Sequence, residues 1–112
     1  MSWKIVYYKT PRGKDVIKDF LDELQENTQA KVGRQLDLLE KYGFALRMPY
    51  VKAFGNGLME LRVRGNQEVR IFYTFIREGK ICLLHGFIKK SQATPTRELV
   101  IARKRQSKVK NT

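Results

Sequence analysis

The chain has one cysteine, one histidine and one tryptophan in 112 residues, with only three prolines. A lone Cys82 excludes a disulfide within the chain and fits a reducing compartment, the cytoplasm. It lies in an apolar run, where a thiol behaves as a small buried hydrophobe. No apolar stretch is long enough to span a membrane, and Trp3, Lys4 and Tyr8 interrupt the start where a signal peptide would need an unbroken run. Histidine, cysteine and carboxylates do not gather at metal-ligand spacing, and there is no carboxylate pair, so neither a metal nor another cofactor is expected. Acids are scarce as well: 11 Asp and Glu stand against 23 Lys and Arg, a net charge of +12.

What is present is a single domain, 1–112, with enough apolar residues (42%) for one modest core. The positive charge is lopsided. Residues 1–57 carry 10 basic and 7 acidic groups, whereas 58–112 carry 13 and 4. A field of that kind suits a polyanion, with RNA the leading candidate; an anionic membrane surface or a merely solvated lysine coat are the competing readings.

The segment 2–9, SWKIVYYK, is rich in β-formers and reads as a strand. Val16, Ile17, Phe20, Leu21 and Leu24 then recur at helical spacing. A second helix is expected from an Asn27 or Thr28 cap, with Val32, Leu36, Leu39 and Tyr42 on one stripe and Gly43 as its stop. Residues 44–57 read as an irregular connection. LMELRVR and EVRIFYTF alternate strictly, with turns at Gly65-Asn66 and Glu78-Gly79, and ICLLHGFI has the uniform apolarity of a central strand. Thr94-Pro95 reads as a helix start, with the Thr hydroxyl as cap and Pro at the first helical position. The last helix ends in a basic run, and 109–112 are expected to fray. The order β-α-α-β-β-β-α predicts an α+β domain: a small antiparallel sheet packed on a helical hairpin, followed by a basic C-terminal helix.

Several side chains invite a functional role. Alternation puts Arg62 and Arg70 on the polar face of adjacent strands, with Arg64 beside them. Either they converge on a phosphate, which the planar guanidinium fork suits, or they form a solvated face paired with Glu60 or Glu68. His85 is the one group able to move a proton near neutral pH, and otherwise a hydrogen-bonded structural histidine. Phe87 with Lys89 and Lys90 could bracket a base and its phosphate, or only blunt a strand end. Arg103, Lys104 and Arg105 offer general electrostatic attraction.

The combination GLMELRVR, VRIFY and LLHGFIKKSQATPTRE followed by IARKR resembles the HigB-type, phage-derived branch of the RelE/ParE toxin superfamily. The resemblance covers most of the chain. It implies a RelE-like fold and the toxin of a type II toxin–antitoxin pair, held by a cognate antitoxin that is expected to be a helix-turn-helix protein. Many such toxins enter the ribosome and cleave mRNA, whereas the ParE-like branch inhibits DNA gyrase; a non-catalytic nucleic-acid-binding module is the third possibility. Arg70 matches the family's strand arginine, Arg62 a commonly basic strand position, and Lys89 or Lys90 the basic position closing the last strand. With His85, these imply a metal-independent mRNA endoribonuclease working by 2′-OH attack, with Arg64, Phe87, Arg103, Lys104 and Arg105 binding substrate. Two departures stand out: Glu60 replaces a usual lysine, and the family's C-terminal tyrosine is missing, which leaves stacking to Phe87.

Overall fold

Four residues of the N-terminal segment form β1 (Lys4–Tyr7) in the computed structural model, which describes residues 2–110. The chain then folds into α1 (Val16–Asp22) and α2 (Glu26–Tyr42), a helical hairpin. Asp15 caps α1 by accepting from the Lys18 amide at 3.3 Å. Helix α2 begins earlier than its Asn27 or Thr28 signal suggested: Gln25 is the cap, and Thr28 is buried inside the first turn. Gln29 closes the hairpin, its amide donating to the carbonyls of Leu21, Asp22 and Leu24 at 2.9–3.2 Å. Gly43 ends α2 with φ of 49°, and a Cβ there would run into the Trp3 indole.

Four further strands follow: β2 (Val51–Gly55), β3 (Leu58–Val63), β4 (Val69–Ile76) and β5 (Lys80–Ile88). The sheet order is β1-β5-β4-β3-β2. The α+β class and the helix-covered sheet are as expected, with two additions. β1 runs parallel to β5, which makes the sheet mixed, and β2 occupies part of the stretch expected to be irregular. Asn56 and Gly57, at φ of 53° and 81°, turn β2 into β3, the conformation an Asn-Gly hairpin turn adopts. Glu78 and Gly79, at 64° and 67°, do the same between β4 and β5.

α3 (Thr96–Lys110) completes the domain. Its first bonds run to the Pro95 carbonyl, from Glu98 and Leu99, so Pro95 stands outside the helix rather than at its first position. The expected Thr94 cap is replaced by a bond across to the sheet, described below. Val109 and Lys110 are helical; the rest of the expected frayed end, 111–112, lies outside the described residues.

Pairing assigns the two faces of the sheet. Phe20 of α1 presses on Gly86, where a Cβ would lie 2.6 Å from its ring, so Gly86 and its partners Ile71 and Leu61 face the hairpin. α3 lies on the opposite face, where Gln106 reaches the Thr74 hydroxyl at 3.5 Å. The sheet is thus covered on both sides, which accounts for the near-continuous apolarity of β4 and β5. No helix among the described residues is long and apolar enough to cross a membrane.

Candidate functional site

α3 leaves one end of its sheet face uncovered. There Arg62 of β3 pairs in register with Arg70 of β4, and Arg70 pairs with Phe87 of β5, so the three side chains leave the sheet on the same side. Directly opposed like charges destabilise a sheet. The chain nevertheless adds cations around this pair. A cleft of about 440 Å³ is lined by Arg62, Arg64, Arg70, Lys89 and Lys90, with Glu68 as its one acid; Ser91 and Gln92 close it.

Glu68 is the internal counter-ion. It accepts from Arg70 at 3.2 Å, lies 3.6 Å from Arg64, and accepts from the Gly65 amide at 3.0 Å. The Gly65 N–H, then Arg70 and Arg64, hold its carboxyl below the usual range. Arg62, Lys89 and Lys90 have no carboxylate within ion-pair distance among the described residues. The Nε atoms of Arg62 and Arg70 are buried without a hydrogen-bond partner. The Lys89 ammonium is disfavoured first by burial and then by Arg70, with Arg62 and Lys52 adding to the effect against Glu60; its pKa is lowered. Here the positive groups crowd each other.

Behind the cleft sits Glu60, only 1% exposed, paired in register with Lys52 of β2. Its Oε2 accepts from the Thr94 hydroxyl at 3.1 Å. This bond takes Thr94 away from its expected capping role and ties the segment after β5, which carries Lys89 to Gln92, to the sheet.

The other expected site residues are placed differently. His85 does not line the cleft. Its Nε2 lies 2.7 Å from Glu98 Oε1, while Arg105 donates to its Nδ1 at 3.5 Å. Because Arg105 can only donate, Nδ1 is the acceptor and Nε2 bears the proton. Burial lowers the His85 pKa, Glu98 opposes this, and Arg105 adds to it. Phe87 is 5% exposed and stacks on Phe72 and His85, each at 5.9 Å, so no base can reach its face. Arg103 is a clamp rather than a surface cation, donating to the carbonyls of Phe54 and Gly55 at 2.5 and 2.8 Å. Arg105 is also engaged, with Leu84 O at 2.9 Å and the Tyr8 ring 5.1 Å away. Of Arg103, Lys104 and Arg105, only Lys104 is exposed.

Lys52 was missed because its segment read as a loop. The Asn56-Gly57 dipeptide between VKAF and LMEL was the signal that could have found its strand. Glu68 was foreseen as an arginine partner and takes that role. Arg64 and Arg70 are paired with Glu68, whereas Arg62 has no carboxylate partner among the described residues.

A small α+β domain with a cation-lined cleft at one end of its sheet has the donors and charge to accept an anion with several oxygens. The sequence profile of the phage-derived Gp49-like proteins (DUF891) matches residues 19–107, and the chain belongs to that family, a RelE/toxin-like family of toxin–antitoxin systems. No curated protein matches the sequence.

Proposed function

We propose that this protein is a HigB-type toxin whose cleft binds the phosphate backbone of mRNA and cleaves it on the ribosome. The observation that carries this is the registered Arg62–Arg70 pair, with both Nε atoms buried and unpartnered, beside Lys89 and Lys90. A phosphodiester, and still more a pentacoordinate phosphorane, supplies negative charge beyond the single carboxylate of Glu68.

In the proposed reaction the 2′-oxygen loses its proton and bonds to the adjacent 3′ phosphorus. The P–O5′ bond breaks and the leaving oxygen takes a proton, giving a 2′,3′-cyclic phosphate and a 5′-OH end. Arg62, Arg70 and Lys90 stabilise the phosphorane; a preorganised donor of this kind is worth about 3 kcal/mol. Lys89, whose ammonium is destabilised by burial and by Arg70, is suited to give the proton to the leaving oxygen. His85 is engaged on both nitrogens and takes a structural role here.

Among the described residues no comparable base lines the cleft, so the 2′-hydroxyl gives its proton to water or to a ribosomal group. Glu68 is held as a weakly basic carboxylate by its three partners. The cleft therefore depends on in-line geometry imposed from outside, and a ribosome holding the message would supply it. A cognate antitoxin, with a helix-turn-helix fold as the expected form, would neutralise the basic surface.

Primer extension on message from a translating extract and on the same purified RNA tests this reading. Cleavage only in the extract, lost in Lys90→Ala, is expected. Efficient cutting of naked RNA would refute ribosome dependence. No cutting in either sample, with inhibition of gyrase supercoiling instead, would replace the nuclease by a gyrase inhibitor.

A further inference from the structure

The cross-strand row that holds Arg62 and Arg70 does not end at β3. β2 forms the sheet edge beside it, and the Arg62 amide donates to the Tyr50 carbonyl at 2.7 Å, so Tyr50 stands across from Arg62. Val51, next along, is 4% exposed and turned into the core, opposite Leu61. Lys52, one residue further, lies opposite Glu60. Strand alternation thus brings Tyr50 and Lys52 to the face that bears Arg62 and Glu60. Tyr50 is 41% exposed, and unlike the exposed Tyr42 and Phe44 its ring meets no other ring or cation among the described residues. Lys52 is close enough to Lys89 for their charges to repel, so it belongs to the same electrostatic surface.

We infer that a single RNA strand leaves the phosphate cleft over the β2 edge, where the Tyr50 ring stacks on a base and Lys52 holds the adjoining phosphate. The inference rests on the RNA-binding reading of the cleft. It supplies the aromatic platform that Phe87, 5% exposed and packed against Phe72 and His85, does not provide. Tyr50 stands one strand spacing, about 4.8 Å, outward from Arg62, so the base of the nucleotide whose phosphate meets the arginines falls over it. Stacking of this kind tolerates every base, because each has a π-face.

Fluorescence anisotropy with two labelled strands of equal length and charge provides the test: a short single-stranded RNA, and its counterpart with abasic sites throughout. The wild-type protein should prefer the base-bearing strand by about 5- to 150-fold. Tyr50→Ala should remove that preference and leave affinity for the abasic strand unchanged, while Tyr50→Phe keeps it. Lys52→Ala should weaken both strands and reduce the slope of log K against log salt by about 0.7. If the wild type binds both strands equally, or Tyr50→Ala keeps the preference, the stacking subsite is overturned and the phosphate cleft stands. If the wild type binds neither strand, the RNA-binding reading of the cleft falls, and this inference with it.

Discussion

Arg70→Ala separates what the cleft does for the fold from what it does for a ligand. An exposed arginine can be truncated at almost no cost, but the Arg70 side chain is 2% exposed. Truncation removes its bonds to Val69 O at 3.0 Å and Glu68 Oε1 at 3.2 Å. Bonds involving a charged group are worth roughly 1.5–3 kcal/mol each. Glu68 lies at the surface, its side chain 35% exposed, so water recovers much of the second bond. Relief of the opposed Arg62 charge returns about 0.2–1 kcal/mol. The net loss is about 1–3 kcal/mol, which in a domain of this size lowers Tm by about 5–15 °C. Lys90→Ala, at an exposed position, should stay within about 0.5 kcal/mol of wild type. Thermal denaturation followed by circular dichroism on all three proteins checks both numbers. If Arg70→Ala and Lys90→Ala melt together with wild type, Arg70 is a solvated surface cation and its burial at the base of the cleft is wrong. The design consequence is that activity loss in Arg70→Ala is uninterpretable alone, and Lys90→Ala is the cleaner probe of function.

Two further perturbations follow from the packing. His85 is buried beside Glu98 and Arg105 with its pKa below the ordinary 6.5, so the folded state favours the neutral ring. The unfolded chain therefore binds this proton first, and His85 should cost stability as pH falls through 6.5 until the folded pKa is passed. His85→Gln should flatten that part of the stability–pH curve in urea denaturation between pH 7 and 5; an unchanged slope would mean that His85 does not titrate differently on folding. Gly43→Ala should destabilise by about 2–4 kcal/mol, combining a left-handed backbone with a collision against Trp3. A Tm within 2 °C of wild type would show that the indole moves aside freely.

Local rules made most of the fold legible. The stop at Gly43, the Glu78-Gly79 turn and the strict alternation of β3 and β4 each rest on neighbours in sequence, and each appears in the structure. The position of Arg62 beside Arg70 followed from the same alternation. Pairing at the edges was less accessible. Whether β1 runs parallel to β5 depends on contacts between residues nearly eighty positions apart, and β2 is a short edge strand with little apolar signal of its own. The functions of the basic helix residues were hidden for a related reason. An arginine in sequence does not reveal whether it faces water or a row of open carbonyls at Phe54 and Gly55, as Arg103 does.

The least legible feature is also the one that sorts the candidate residues. Tyr73 pairs with Leu83 but Phe72 pairs with His85, so Leu84 is an extra residue in β5, a bulge. Without it, His85 would lie opposite Ile71 and face the helical hairpin, because a one-residue slip exchanges the two faces of a strand. The bulge turns His85 toward α3, where Glu98 and Arg105 take both of its nitrogens. It also brings Phe87 into the row of Arg70, against Phe72. The carbonyl of the bulged Leu84 accepts from Arg105, so the basic helix satisfies the irregularity that its own docking requires. The apolar run ICLLHGFI gives no sign of where such a slip would fall, since either side of the sheet accepts leucine. The bulge thus commits His85 and Phe87 to the packing of α3 and leaves the cations alone at the open end.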